Sequence, residues 1–94
     1  MNIDQANVRR ESLRWLILLT LNNARPIGAF EGPILAVAQS EYPDATPLEL
    51  RRELDYLADR ELVQLDKQPS GRWLADLTRY GVDVAEYTVA CEPG

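Results

Sequence analysis

The sequence predicts a mainly α fold with a small β-hairpin, an α+β winged helix-turn-helix, and three observations predict it. Thr46–Leu62 has the marks of a capped amphipathic helix. Directly after it the period changes to two: Val63 and Leu65 alternate with Gln64 and Asp66, Pro-Ser-Gly at 69–71 makes a turn, and Trp73, Ala75 and Leu77 alternate again. Two more helical stretches precede this unit and one follows it, within 94 residues. A helix that leads straight into a hairpin is the second half of a winged helix-turn-helix.

The first helix is expected from about Asp4 to Asn22. Its early turns are polar, with Arg9, Arg10 and Glu11, while LRWLILLTL is apolar almost all round. A helix apolar on every side is buried on several sides, so this one is expected at the centre of the core. A sharper alternative gives one side, with Trp15 and Leu18, to a second copy of the chain, since a core this small is marginal. Asn22, Asn23 and Arg25-Pro26 end the helix. Ile27-Gly28-Ala29 then forms either a short first strand or an extended link. The second helix starts near Glu31 to Pro33, carries Ile34, Leu35, Val37 and Ala38, and runs to Ser40. Tyr42-Pro43-Asp44-Ala45 supplies the turn of the helix-turn-helix, without a glycine.

For the third helix, Thr46 is the N-cap, Pro47 suits the first position, and Glu49 stands where a capping box wants a carboxylate. Leu50, Leu54, Leu57 and Ala58 recur at helical spacing and face the core. A rotation of about 100° per residue then sets Leu48, Arg52, Asp55, Tyr56 and Asp59 roughly opposite. Beyond the hairpin, Thr78–Ala90 makes a final short helix with Val82, Ala85 and Val89 on one stripe. Thr78 is its expected cap, Gly81 weakens its first turn, and the tail from Cys91 to Gly94 is expected to fray. The whole chain, 1–94, reads as one domain with its core at about 4–90.

Composition narrows the function classes. The longest apolar run, Trp15–Leu19 and then Leu21, is far short of the roughly 20 residues that span a bilayer, so no membrane association is expected. MNIDQANVRRESLR lacks the pattern of a signal peptide, which implies the cytoplasm. One cysteine excludes an internal disulfide, and the absence of histidine leaves neither a zinc ligand set nor a Ser-His or Cys-His pair. No cofactor is expected, and an enzyme is disfavoured. The formal charge is −5, which argues against nonspecific binding to nucleic acid, yet nine of the ten basic groups are arginine, the side chain that reads guanine and clamps phosphate.

LRRELDYLADRELVQL followed by GRWLADLTRYGVDVAEY resembles winged-helix domains with a helix of the form RReLdyLxxxgLv, a short wing and an LTxxGxdv helix start. Together with RPIGAFEGPIL, the chain is similar to small winged-helix proteins of Mu-like phages and prophages, over about Leu13 to Tyr87. That resemblance implies a bacterial or phage origin and, by analogy with winged-helix regulators, binding to double-stranded DNA, as a homodimer. Where many such domains have a glycine, this chain has Glu61, so either helical geometry continues into the junction or the junction accepts strain.

The candidate DNA contacts are Thr46, Leu48, Arg51, Arg52 and Tyr56 on the helix and Lys67, Gln68, Ser70 and Arg72 around the wing tip. Each has a plainer explanation: Arg51 pairs with Asp55 one turn on, and serine, glycine and lysine occupy any hairpin tip. Arg9, Arg10 and Arg14 either add a phosphate contact or pair with nearby acids. Trp73 alternates in phase with Ala75 and Leu77 and belongs to the core. A winged helix that binds a protein partner as a module or adaptor stays open beside the DNA reading, on the acidic balance, Leu48, Asp55 and Asp59.

Overall fold

The computed structural model describes residues 3–91, with side chains over 4–87. In chain order it contains α1 (Ile3–Asn23), β1 (Ala29–Phe30), α2 (Glu31–Glu41), α3 (Pro47–Asp59), β2 (Val63–Lys67), β3 (Trp73–Leu77) and α4 (Arg79–Cys91). The strands form one antiparallel sheet in the order β1-β3-β2. This is the winged-helix arrangement, with α2 and α3 as the helix-turn-helix and the β2–β3 hairpin as the wing. Every expected element is present; α3 ends at Asp59, three residues before the expected Leu62, because the turn at Glu61 stops it, and of Ile27-Gly28-Ala29 the first two residues form a loop while Ala29 opens the short β1. Of the tail expected to fray, Cys91 is the last residue of α4 and residues 92–94 lie outside the described residues.

α1 is the central helix. Leu13, Ile17, Leu18 and Leu21 are buried, and the helix packs against α2, α3, α4 and β3. Leu18 therefore serves the core of its own chain, and Trp15 is half-buried against the same cluster. α3 sends Leu50, Leu54 and Leu57 into that core, where they meet Ile34 from α2, Val63 and Ala75 from the sheet, and Ala85 from α4. A buried leucine stabilises by about 1.5–3 kcal/mol relative to an exposed one. The apolar spacing read along α3 thus fixes which of its sides looks outward.

Two junctions set the angles of α3 and the wing. The turn from α2 closes with the Ala45 amide donating to the Tyr42 carbonyl at 2.9 Å, and the Gln39 side-chain amide donates to the Ala45 carbonyl at 3.0 Å. Ala45 is buried beside Leu13 and Ala38, so side-chain packing takes the place of a glycine turn. At the other end α3 stops in a Schellman motif: the Leu62 amide donates to the Leu57 carbonyl at 2.9 Å and the Glu61 amide to the Ala58 carbonyl at 3.0 Å. Glu61 has φ +63°, the left-handed conformation that glycine usually supplies. Strain at Glu61, not a continued helix, is the outcome, and the Thr78 hydroxyl helps hold it by donating to the Glu61 carbonyl at 2.6 Å.

Thr78 also caps α4, its hydroxyl oxygen accepting from the Gly81 amide at 2.9 Å. Gly81 has a further role that helix propensity does not suggest. A Cβ on Gly81 would stand 2.0 Å from the Leu62 carbonyl oxygen, so its missing side chain lets α4 seat against the α3–β2 junction. Replacing Gly81 by alanine is expected to lower stability by about 2 kcal/mol, as overpacking does, even though alanine is the better helix former. Urea unfolding of the purified variant measures this, and an unchanged or raised midpoint would contradict the close-approach explanation.

Candidate nucleic-acid interface

Three arginine–carboxylate pairs surround α3. Arg9 of α1 donates from Nε and Nη2 to the two carboxylate oxygens of Glu49, at 2.7 and 2.8 Å, and from Nη1 to Asp44 at 3.0 Å. Arg14, also on α1, donates from Nε to Glu53 Oε1 at 2.7 Å and lies over the Tyr56 ring, 3.6 Å from its centroid. Arg51 of α3 donates from Nε to Glu31 Oε2 at 2.6 Å and from Nη2 to Glu31 Oε1, and the same Nη2 donates to the Gly71 carbonyl of the wing at 2.7 Å. Two of these pairs join α3 to α1, and the third joins it to both α2 and the wing.

The wing turn is built mostly by its own backbone. The Gly71 amide donates to the Gln68 carbonyl and the Gln68 amide to the Arg72 carbonyl, both at 2.9 Å, and Gly71 takes φ +92°. Trp73, at the first position of β3, is half-buried; the Arg51 guanidinium is 4.6 Å and the Lys67 ammonium 4.3 Å from its ring centroid. Lys67 also donates to Asp55 of α3 at 3.0 Å. Arg51, Trp73, Lys67 and Asp55 therefore form a polar and aromatic seam between α3 and the wing.

Against this geometry the sequence-predicted site residues separate into two groups. Leu48, Arg52, Lys67, Ser70 and Arg72 are exposed, Leu48 by 61%. Arg52 makes no ion pair among the described residues, and Arg72 lies over the Phe30 ring at 3.8 Å without a carboxylate partner among them. Lys67, though exposed, is tied to Asp55 and Trp73 in the seam, and the others also have structural work. Thr46 accepts from the Glu49 amide at 3.1 Å as the N-cap. Gln68 is half-buried in the wing turn. Tyr56, expected to face outward, is half-buried against the core with Arg14 and Arg60 on its ring.

Arg51 does not pair with Asp55 as helical spacing suggested, because Glu31 takes Arg51 and Lys67 takes Asp55. Nor does Glu49 complete the capping box, since Arg9 holds its carboxylate. The roles of Arg9, Arg14 and Glu31 could not be read from spacing, because their partners lie 40, 39 and 20 residues away. Among the described residues no group of three or more His, Cys, Asp or Glu side chains could hold a metal ion, and no helix is long and apolar enough to cross a membrane.

The fold and this seam define the class, a winged helix with its third helix and wing locked together. No family model matches the chain, and no curated protein matches it. Among solved structures it is similar to a candidate DNA-binding protein from Ralstonia eutropha JMP134, with a TM-score of 0.70 and 25% identity over 82% of this chain and 94% of that one.

The pairs make two predictions. Glu53 is only 5% exposed, so Arg14→Met should destabilise by about 3 kcal/mol through an orphaned carboxylate, whereas Arg14→Met with Glu53→Leu should recover most of the loss. Equal destabilisation of single and double variants in urea would rule this account out. Hydrogen bonding to Arg51 holds the Glu31 carboxyl below the usual glutamate range. Its stabilising share is therefore present above about pH 4.3, the unfolded value, and is lost as pH falls through the lower folded value. The stability difference between the natural chain and Glu31→Gln should be constant from about pH 7 to 5 and shrink below about pH 4. A difference independent of pH would show that ionised Glu31 contributes nothing.

Proposed function

We propose that this protein binds double-stranded DNA, with α3 in the major groove and the wing against the phosphate backbone. The observation that carries the reading is the distribution of charge on α3. Of its four carboxylates, Glu49, Glu53 and Asp55 are each engaged by a cation from another element, leaving Asp59 as the exception. Arg52 on α3 and Arg72 beside the wing turn stay exposed, with no carboxylate partner among the described residues. The similarity to a candidate DNA-binding protein over most of both chains supports the same reading. In its narrower form the protein is a cytoplasmic phage or prophage regulator of transcription that binds as a homodimer. The phage element rests on the sequence resemblance alone, and the exposed Ile27, Tyr80 and Tyr87 offer apolar surface for the dimer.

A second reading, a protein-interaction module, is favoured by the exposed Leu48 and by Asp59 on the same helix, exposed and without an ion pair among the described residues. Fluorescence anisotropy with mixed duplex fragments, at about 50 and 200 mM salt, separates the two. Under the DNA reading, affinity falls steeply with salt, and Arg72→Ala lowers the log–log slope by about one, the value of one phosphate contact. Absence of binding at the lower salt would reject the DNA reading in favour of a protein partner. An unaltered slope for Arg72→Ala would remove Arg72 from the contact set.

A further inference from the structure

α3 carries two adjacent arginines with opposite surroundings. Arg51 is engaged: its Nε and Nη2 donate to Glu31, Nη2 also donates to the Gly71 carbonyl, and its guanidinium lies beside Trp73. Arg52 has each acidic neighbour on its own helix withdrawn from it. Glu49, one turn before, is held in a two-point contact by Arg9; Asp55, one turn after, is held by Lys67; and Glu53 is held by Arg14. The exposed guanidinium of Arg52 is thereby left without a carboxylate partner among the described residues, an open fork on the outer face.

Leu48 is four residues before Arg52, so the two side chains are neighbours on one face of the helix. They sit at the second and sixth positions after the Thr46 cap, in the first two turns. This is the part of a groove-docked helix that reaches base edges. The remaining candidates on α3 are removed by their contacts: Arg51 and Asp55 are paired, and Tyr56 is half-buried under Arg14 and Arg60. Asp59, a further turn on, would meet phosphate with like charge, which tilts the contact toward the start of the helix.

We infer that α3 reads a guanine through Arg52 and a thymine methyl through Leu48 in the major groove of duplex DNA, and that Arg51 positions the wing without reading a base. The inference rests on the DNA-binding reading and deepens it. Arginine donates in a fork to guanine O6 and N7, and an exposed aliphatic side chain meets the thymine C5-methyl group. Four helical residues rise about 6 Å, and successive base pairs are about 3.4 Å apart, so the two bases lie within about two base pairs of one another.

The test is selection of the purified full chain on a pool of random duplexes at low salt, followed by sequencing of the retained fraction. The natural chain should enrich a motif with a guanine and a thymine within about two base pairs. Arg52→Ala should lose the guanine preference by about 10-fold while keeping the thymine, and Leu48→Ser should do the reverse. Arg51→Ala should keep both preferences and bind more weakly overall. Circular dichroism establishes that each variant is folded; Leu48 and Arg52 are exposed, so their replacements leave the core intact. Retention without a motif, or a guanine preference that survives in Arg52→Ala, overturns the base assignment while DNA binding stands. No retention of any duplex overturns both.

Discussion

The structure depends on how α3 is held. Burial of Leu50, Leu54 and Leu57 fixes which side faces in, but apolar burial is non-directional and leaves small rotations and slides of a helix inexpensive. The arginine pairs remove that freedom. Arg9 grips Glu49 through two parallel hydrogen bonds, Arg14 holds Glu53 one turn further along the helix, and Arg51 ties the opposite flank to Glu31 and the wing carbonyl of Gly71. Two-point arginine–carboxylate contacts are geometrically exacting, so they specify the helix's rotation and position more than they add to stability. The wing and α3 already pack through Val63 and Ala75 against the α3 leucines, and the Arg51 and Lys67 contacts add a directional tie between them.

The same pairs decide what charge the outer surface presents. A chain with net charge −5 is a poor ligand for a polyanion when the charges are spread evenly. Here they are not spread evenly in effect. Exposed charges act over a Debye length of about 8 Å at physiological salt, so a carboxylate engaged by a nearby cation contributes little to the potential at a groove-facing arginine. Arg9, Arg14 and Lys67 neutralise three of the four α3 carboxylates from neighbouring elements, and Arg52 is left unpaired by them. Summed charge, the one electrostatic quantity the sequence yields directly, therefore says little about this face.

The limits of sequence reading follow from the same distinction between near and distant neighbours. Elements were legible because their signals are local: Thr46 before Pro47, the leucine spacing of α3, the change of period at Val63 and the Pro-Ser-Gly turn. The strain at Glu61 was legible as one of two outcomes, and its three-dimensional setting decided between them. Pairings across 40, 39 and 20 residues left no comparable trace. Arg51 and Asp55 have good helical spacing, and Glu49 has the right spacing for a capping box, yet each is taken by a partner from another element. A local rule states what a residue is free to do, and tertiary neighbours decide whether it remains free. Gly81 shows the converse, since a residue read locally as a weak helix former is required by a carbonyl from the preceding junction.

The contrast between Arg51 and Arg52 bears on how a small winged helix can combine rigidity with recognition. A side chain that holds the wing must be satisfied before any ligand arrives, or the wing is not preorganised and its ordering weakens binding. A side chain that reads a base must instead be unsatisfied beforehand, since an existing partner would have to be displaced. One arginine cannot meet both conditions. Adjacent positions on a helix differ by about 100°, enough to turn Arg51 toward Glu31, Gly71 and Trp73 while Arg52 projects past the edge of that seam. The double arginine of α3 is then a division of labour imposed by helical geometry, and exchanging either residue for lysine would damage a different half of it: the two-point grip on Glu31 at Arg51, the fork for guanine at Arg52.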